Sequence, residues 1–318
     1  MTKWNRDIQK YDRNPNVRVS LKQLKDSQNI SKDFFQELIA HLHCEKNNFV
    51  LRCYGITQDP ESNEYIMVTD YAKKGDLRTY IRKQFHKIKW NEKLALLQNV
   101  ACGLKEIHKE GWVHRDLHTG NLLLDPASIN ETIVIGDLGM CRPACQSSSS
   151  VYGVIPYMAP ELFKGQPYSK ESDIFSFGTI LWEVSSGRLP FSDRPHDRDL
   201  IKEIANGLRP DVVDNTPNQY AELMWRCWDP NPSERPSASE IESILMDLRR
   251  DTGADLYLDK SYISQDHLSM SVTSVFQNGS TLSQFTSDLE DRVKEESQLI
   301  RSLPVNTQAI YSSRIFPN

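Results

Sequence analysis

The chain has 318 residues, a net charge of −5 and a pI of about 5.9, with 38% hydrophobic and 25% charged residues. This length suggests two domains or one large one, and the acidic balance argues against a nucleic-acid-binding protein with a wholly basic surface. No run approaches the roughly 18 apolar residues of a membrane helix, and the N-terminal sequence MTKWNRDIQKYD lacks an apolar core, so we expect neither a membrane span nor a secretory signal.

The six cysteines do not form a recognisable set. Cys141 and Cys145 are spaced as CxxxC, but no second pair and no nearby histidine completes a zinc site. A disulfide framework is typical of small secreted chains. We therefore predict mostly buried free thiols in a reducing compartment, which would be the cytoplasm or the nucleus.

Residues 1–72 have the pattern of a small sheet with one helix. Residues 17–24 alternate polar and apolar side chains, which predicts a strand. Ser31 can cap a helix, and residues 49–57 and 64–70 predict a β-hairpin around a polar turn. The expected inner side of the helix consists of Phe34, Phe35, Leu38, Ile39 and Leu42.

Helical periodicity dominates residues 73–250. Residues 91–110 are apolar at every third or fourth position and end at Gly111, which predicts a long amphipathic helix. A short strand pair is predicted at 122–124 and 132–135. A small mixed lobe followed by a larger helical lobe predicts an α+β, bilobal fold. Further helices are predicted at 173–186, 197–206, 217–228 and 237–249.

Composition changes near residue 250, so we divide the chain into 1–72, 73–250 and 251–318. Residues 251–284 are rich in polar side chains, which predicts a mostly disordered segment. A weak helical stripe follows, and it fits either a short docking helix or, as the weak periodicity favours, a solvated helix. The apolar positions of this stripe are Phe285, Leu289, Val293, Ile300 and Leu303.

Three short motifs follow one another in the helical lobe. A His-Arg-Asp triplet at 114–116 is followed by Asn121. Asp137 opens an Asp-Leu-Gly triplet 16 residues after Asn121, and Glu161 ends an Ala-Pro-Glu triplet 24 residues after Asp137. Each triplet alone is weak. Their order and spacing resemble the catalytic loop, the metal-binding loop and the end of the activation segment of a eukaryotic protein kinase of the tyrosine-kinase-like group. The resemblance extends over about 17–248.

The resemblance implies a protein kinase that uses ATP and Mg²⁺ to phosphorylate protein substrates. Phosphoryl transfer depends on positioning and charge stabilisation. Asp116 would accept or orient the proton of the acceptor hydroxyl. Asn121 and Asp137 would hold Mg²⁺, a hard cation that prefers oxygen ligands. Taken singly, Asp116 and Asn121 could merely cap a turn, but the whole constellation favours the catalytic interpretation.

A lysine and a glutamate complete the implied catalytic set. Val-Ser-Leu-Lys at 19–22 resembles the Val-Ala-Ile-Lys strand motif, so Lys22 would bind the α- and β-phosphates. Glu37 follows 15 residues later on the capped helix and would hold Lys22 in place. The alternative is that both are ordinary surface charges. Ser20 replaces the alanine that usually covers the adenine.

The resemblance also implies a nucleotide pocket between the lobes. Thr69 occupies the gatekeeper position at the end of a predicted strand. The hinge would follow from Asp70 to Ala72, whose backbone would pair with adenine. Leu123 would lie under the base.

Other matching residues imply support and regulation. Glu161 and Arg235 would form a buried ion pair, and Asp173 would anchor the catalytic loop. Arg115, next to Asp116, implies control by a phosphate that an upstream kinase adds to the activation segment. The candidate acceptors, which could equally belong to a flexible serine linker, are Ser147, Ser148, Ser149, Ser150 and Tyr152.

The chain also departs from the family pattern. No GxGxxG occurs among its 14 glycines, and only 18 residues precede Val19. We therefore expect the lid over the phosphates to be missing and the sheet to have an exposed edge. A pseudokinase scaffold with weak or no ATP turnover is the alternative function. His118 stands where serine/threonine kinases carry a lysine, and Val154 replaces their threonine. A Ser/Thr acceptor is favoured, but Tyr stays open.

Overall fold

The computed structural model describes residues 4–5, 10–11, 17–24, 32–44, 48–124, 126, 133–144, 151–251 and 314–316 of the chain. The predictions for the polar segment and the helical stripe of residues 252–303 lie outside these described residues. So do the cap at Ser31 and the serines at 147–150. No helix in the described part of the chain combines the length and apolar character needed to cross a membrane.

The N-terminal lobe contains short antiparallel strands. Strand β1 (Trp4–Asn5) pairs with β2 (Lys10–Tyr11) as a separate two-stranded sheet. Strand β3 (Val19–Gln23) joins β4 (Cys53–Gln58) and β5 (Tyr65–Asp70) in the order β3-β5-β4. The predicted strand and hairpin are confirmed.

Strand β3 forms an exposed edge of this sheet. Within the described residues it pairs only with β5, and every one of its residues is exposed. Val19 and Leu21 are 39% and 61% exposed, although their β-branched or bulky side chains favour burial in a strand. Among the described residues, β3 is thus an edge strand, and such an edge can pair with another strand.

Helix α1 (Lys32–Cys44) packs against the turn at Leu138–Met140. Glu37, Ala40, His41 and Cys44 are buried, at the spacing of one helix face. Of the predicted inner side, Leu38 and Ile39 are half-buried, and Ile39 packs against the core. The side chains of Phe34, Phe35 and Leu42 lie outside the described residues. Glu37 lies on the buried face because it pairs with Lys22, as described below.

The predicted strand at 49–57 begins later, at Cys53, because its first residues pair with the other lobe. The backbone N–H of Leu51 donates to the carbonyl of Ile135 at 2.8 Å, and that of Ile135 donates to the carbonyl of Phe49 at 2.8 Å. Val50 bridges Ile135 in parallel. These bonds join the sheet of the small lobe to the strand that precedes Asp137.

The C-terminal lobe is helical, as the periodicity predicts. Its centre is α5 (Lys170–Ser186), in which every residue from 172 to 186 is buried. A helix apolar on most sides belongs in the middle of a bundle. It ends at Gly187, whose φ of 69° suits glycine as a left-handed C-cap. The other helices are α2 (Leu77–Gln84), α3 (Trp90–Lys109), α4 (Pro160–Phe163), α6 (Arg198–Ala205), α7 (Asn218–Cys227) and α8 (Ala238–Asp251).

Short strand pairs position the loops between the lobes. β7 (Leu122–Leu124) pairs antiparallel with β8 (Ile133–Ile135), as predicted. Two further strand pairs were not predicted from the sequence, because segments of two or three residues show no periodicity. β6 (Trp112–Val113) pairs with β9 (Arg142–Pro143), and β10 (Val151–Gly153) pairs with β11 (Arg314–Phe316).

Candidate active site

The loop that carries Asp116 is anchored by the buried carboxylate of Asp173. This carboxylate accepts backbone N–H bonds from His114 at 2.8 Å and Arg115 at 2.9 Å, and its contact with the His108 Nε2 is also 2.9 Å. Arg115 has a φ of 70°, a conformation that is costly outside glycine. The charged anchor therefore holds a strained turn in place. The predicted role of Asp173 is confirmed, whereas sequence reasoning missed His108.

Asp116 and Asn121 lie side by side at the start of β7. The Asn121 Nδ2 donates to the Asp116 carbonyl at 2.8 Å and lies 3.4 Å from its Oδ2. Asp116 is only 7% exposed. Because the amide nitrogen of Asn121 is directed to Asp116, its amide oxygen lies on the other branch, where it could serve as a metal ligand.

Lys22, Glu37 and Asp137 form a charged row across the two lobes. The Lys22 Nζ lies 2.8 Å from Glu37 Oε1 and 2.9 Å from Asp137 Oδ1. Burial alone lowers the pKa of Lys22, but the charges of Asp137 and Glu37 outweigh it and raise that pKa above its ordinary value. Burial raises the pKa of Asp137, but Lys22 outweighs it and lowers that pKa overall. Lys22 and Asp137 are therefore both charged at neutral pH.

The backbone next to Asp137 connects the charged row to Asn121. The N–H of Gly136 donates to the Asn121 carbonyl at 2.8 Å. Asp137 itself has a φ of 52°, so a second strained residue lies in this site. Its side chain is 48% exposed, which leaves its carboxylate accessible to a ligand. The structure thus brings together the five predicted catalytic residues Lys22, Glu37, Asp116, Asn121 and Asp137.

No group of three or more His, Cys, Asp or Glu side chains in the described ranges could hold a metal ion by itself. Mg²⁺, however, usually keeps several waters and binds through one or two protein oxygens plus substrate phosphates. Asp137 and Asn121 supply such oxygens on adjoining segments. The donor set therefore fits Mg²⁺ delivered with a nucleotide better than a dedicated metal site.

The predicted nucleotide-pocket residues lie along the connection between the lobes. Thr69 is 6% exposed and pairs with Ser20 of β3. Asp70 is 1% exposed and accepts the N–H of Tyr71 at 2.9 Å. The hinge contacts the C-terminal lobe. Ala72 forms a β-bridge with residue 126, and residue 76 forms one with Leu123.

Leu123 lies directly over Gly136. A Cβ built on Gly136 would come within 2.8 Å of Leu123 Cδ1. Real Cβ atoms do not approach other atoms so closely, so this position requires glycine unless Leu123 moves. The contact fixes Leu123 immediately beside the segment that carries Asp137.

A buried polar network behind the catalytic loop was not predicted. Glu183, in the middle of α5, is 1% exposed and accepts a hydrogen bond from Thr119 Oγ1 at 2.7 Å. It also accepts one from the hydroxyl of Tyr157. Burial raises the pKa of Glu183. An acidic residue inside an otherwise apolar helix was the available signal, since such a residue needs partners.

The glutamate network ties the catalytic loop to the segment before α4. Thr119 belongs to the turn that precedes β7, and Tyr157 ends the loop that follows β10. Their shared acceptor fixes both segments to the rigid helix α5. One carboxylate oxygen of Glu183 accepts both bonds, while its other oxygen, Oε1, is buried without a hydrogen-bond partner among the described residues.

His118 makes the stability of the site depend on pH. It is 6% exposed, and burial lowers its pKa to about 3, with the charge of Arg78 acting in the same direction. Between pH 3 and its ordinary pKa of about 6.5, the unfolded chain binds a proton that the folded chain excludes. Stability contributed by neutral His118 is therefore present above pH 6.5 and is lost as the pH falls.

We expect His118→Gln to reduce the loss of stability between pH 7 and pH 5 by about 2 kcal/mol, the value for one excluded proton over that range. The measurement is urea unfolding of wild type and variant at both pH values. His86→Gln, which removes an exposed histidine, is the matched control. An unchanged pH dependence in His118→Gln would contradict the burial argument.

The sequence of the chain is similar to those of known protein kinases. A sequence profile described as protein tyrosine and serine/threonine kinase matches residues 2–245. The serine/threonine-protein kinase STY46 of Arabidopsis thaliana is 29% identical over 242 residues, covering 74% of this chain and 41% of that protein. Mitogen-activated protein kinase kinase kinase 7 of Bos taurus is 33% identical over 242 residues, covering 73% and 40%.

A third relative is the serine/threonine/tyrosine-protein kinase HT1 of Arabidopsis thaliana. It is 31% identical over 184 residues, which cover 57% of this chain and 46% of that protein. The chain thus spans less than half the length of these curated relatives. The profile match at 2–245 covers both lobes and the row of charged residues between them.

Proposed function

This chain belongs to the protein tyrosine and serine/threonine kinase family, and we propose that it transfers the γ-phosphate of ATP to serine or threonine hydroxyls of protein substrates. The charged row of Lys22, Glu37 and Asp137 carries this proposal, because it joins residues 115 positions apart into one phosphate-facing site. The family implies ATP as substrate and, typically, Mg²⁺. The names of several relatives favour a Ser/Thr acceptor.

Each charged residue has a distinct role in the proposed reaction. Lys22, held by Glu37, neutralises the α- and β-phosphates. Asp137 and Asn121 would hold Mg²⁺, which would supply positive charge for the phosphate oxygens. Asp116 orients the acceptor hydroxyl and accepts its proton, since it lies in the strained loop and contacts the Asn121 amide. Most of the protein's contribution is therefore positioning and electrostatics.

The adenine binds at the connection between the lobes in this proposal. Thr69 limits the depth of the pocket, and the backbone at Asp70 and Ala72 pairs with the base. Leu123 packs against one face of the adenine ring. Two observations support this position of the adenine. The hinge residues form β-bridges with the C-terminal lobe, and Leu123 lies against Gly136, which is next to Asp137.

We propose that an upstream kinase controls the activity by phosphorylating the activation segment. Burial lowers the pKa of Arg115, and the positive charge of Arg142 lowers it further, so two cations lie close together beside this segment. A phosphate would relieve their repulsion. We also propose the cytoplasm or the nucleus as its compartment, because the cysteines in the described part of the chain are buried free thiols.

The test is transfer of radiolabelled γ-phosphate from Mg-ATP to casein and to myelin basic protein by the purified chain. Phosphoamino-acid analysis of the product separates serine and threonine from tyrosine. Incorporation that depends on Lys22 and Asp137 supports the proposal. No incorporation at any substrate or ATP concentration would leave the pseudokinase scaffold as the better account.

Lys22 and Glu37 should act as one unit. We expect Lys22→Met and Glu37→Gln each to reduce ATP affinity or turnover strongly, and the double variant to lose little more than either single one. The reason is that each change leaves the other charge without its partner at 2.8 Å. Titration calorimetry with Mg-ATP and the transfer assay measure both quantities.

An ion pair outside the site supplies the control for this cycle. Lys105 and Glu242 join α3 to α8 and lie away from the charged row. Lys105→Met should leave ATP affinity and turnover close to those of wild type. Additive losses in the Lys22 and Glu37 variants would show that the two residues do not function as a pair.

The absence of GxGxxG from the 318 residues should limit the activity. In the family such a loop covers the phosphates with backbone N–H groups and excludes water, both of which favour transfer. We expect weak Mg-ATP binding and slow turnover, and both should improve when a glycine-rich hairpin is fused ahead of Trp4. Ordinary affinity and turnover without the hairpin would contradict this expectation. Inactivity with the hairpin would favour the pseudokinase.

A further inference from the structure

The C-terminal strand β11 pairs with the segment that leads into the catalytic centre. Arg314–Phe316 lies antiparallel to Val151–Gly153, with Arg314 opposite Gly153 and Phe316 opposite Val151. About 160 residues of chain separate the two strands, so the pairing is not a local hairpin. Within the described residues, each strand has only the other as its hydrogen-bonding neighbour in the sheet.

Gly153 places this strand pair beside the candidate catalytic carboxylate. A Cβ built on Gly153 would lie 3.9 Å from Asp116 Oδ1 and 3.1 Å from Met158 Cγ. The φ of Gly153 is 137°, which side chains other than that of glycine rarely allow. The backbone of β10 therefore passes Asp116 at close range, and a strand paired with it runs alongside the same centre.

Tyr168 determines which backbone groups of β10 are available for pairing. The N–H of Tyr152 donates to the Tyr168 hydroxyl oxygen at 2.7 Å, and that hydroxyl donates to the carbonyl of Tyr152. Both backbone groups of Tyr152 thus point away from β11. In an antiparallel pair such groups alternate in direction along a strand. The groups of Val151 and Gly153 therefore face β11.

Because of this alternation, the three residues of β11 do not contribute equally to the backbone hydrogen bonds with β10. Arg314 and Phe316 stand opposite Gly153 and Val151 and form the hydrogen-bonded pairs. Ile315 stands opposite Tyr152 in a pair without backbone hydrogen bonds. The backbone N–H of Arg314 is thus required for the pairing, whereas that of Ile315 is not.

We propose that β10 is a binding edge for an extended peptide and that β11 is a built-in competitor that occupies it in place of a protein substrate. Main-chain bonds to an exposed strand are a general way to bind extended peptides. A substrate segment must approach Asp116, and β11 already lies along the strand that passes it. This inference rests on the proposed kinase function, which gives Asp116 its substrate.

The first experiment changes only the pairing, in the full chain. Proline lacks the backbone N–H, so Arg314→Pro should open the edge, while Ile315→Pro should leave the hydrogen-bonded pairs intact. If β11 occupies nine-tenths of molecules, opening the edge should lower KM for casein by about tenfold with kcat nearly unchanged. Equal KM values for wild type, Arg314→Pro and Ile315→Pro would overturn the proposal.

A second experiment needs no catalysis. A fluorescein-labelled peptide of residues 309–318 is titrated with each full-length protein by anisotropy. It should bind Arg314→Pro about tenfold more tightly than wild type, because the edge is open in the variant. Methylation of the Arg314 nitrogen in the peptide should abolish binding, and methylation of the Ile315 nitrogen should not. Equal binding to both proteins, or equal effects of the two methyl groups, would overturn the proposal.

The two experiments separate this inference from the proposed function. Absence of phosphate transfer by every variant would contradict the kinase activity, while the anisotropy titration would still report whether β11 occupies the edge. The competition should also be independent of protein concentration, because one chain supplies both strands. Relief of the competition on dilution would instead show that β11 pairs with a second copy, and would overturn the proposal as stated.

Discussion

Asp116→Asn should abolish phosphate transfer and leave the fold intact. Asparagine has the same size and can keep the contact with the Asn121 amide near 3.4 Å. It cannot accept the acceptor proton as a carboxylate does, and positioned bases contribute about 10²–10⁴-fold to rate. We expect turnover to fall by about that factor, with Mg-ATP affinity and melting temperature close to wild type. The transfer assay, calorimetry and thermal unfolding measure the three quantities.

The control for this change is Asp199→Asn, which neutralises a carboxylate that is 73% exposed on α6. It should have little effect on turnover. An Asp116→Asn protein that keeps more than a few per cent of wild-type turnover would show that Asp116 is not the proton acceptor. Intact Mg-ATP binding by the same protein would exclude misfolding as the cause of a loss.

Arg235→Leu should cause a large loss of stability. The Arg235 side chain is fully buried, and its two terminal nitrogens lie 2.7 and 2.8 Å from the two oxygens of Glu161. Breaking a buried pair costs about 3–5 kcal/mol, because the remaining charge stays buried without its partner. We expect a decrease of this size in the free energy of unfolding, measured by urea titration with tryptophan fluorescence.

Two further variants test the reason for this loss. The double variant Glu161→Leu with Arg235→Leu should recover part of the stability, since no unpaired charge then remains. Arg226→Leu breaks a contact of 4.0 Å between two exposed side chains and should cost less than about 1 kcal/mol. A cost for Arg235→Leu no larger than that of Arg226→Leu would contradict the importance of the buried pair.

The change at Asp116 concerns the proposed chemistry, whereas the change at Arg235 concerns the stability of the fold. Asp116 and Asn121 belong to a loop whose geometry depends on Asp173, a residue of α5. Glu161 and Arg235 bond to each other elsewhere in the C-terminal lobe. Activity and stability can therefore be changed separately in this chain.

Local patterns in the sequence determined most helices and the identity of the candidate catalytic residues. The stripe at 91–110 predicted α3, observed as Trp90–Lys109, because helix formation depends on side chains three and four positions apart. The order and spacing of the triplets containing Asp116, Asp137 and Glu161 were also readable without any coordinates. These signals lie within short stretches of chain, where composition and period are sufficient.

Contacts between distant segments were decided only by the tertiary structure. The sequence could suggest Lys22 and Glu37 as partners through a resemblance, but the third contact, with Asp137, requires both lobes to meet. The same meeting explains why Glu37, a charged residue outside the predicted apolar stripe, is buried on α1. Such contacts depend on the packing of the whole chain, which no local period records.

The pairing of β11 with β10 is the strongest example of this limit. Three residues, Arg314–Phe316, carry too little alternation to predict a strand, and nothing in their sequence names Val151–Gly153 as the partner. The register follows instead from Tyr168, which turns the backbone groups of Tyr152 away and leaves those of its neighbours facing β11. Backbone hydrogen bonds carry no side-chain code, so neither the strand nor its partner could be predicted from the sequence alone.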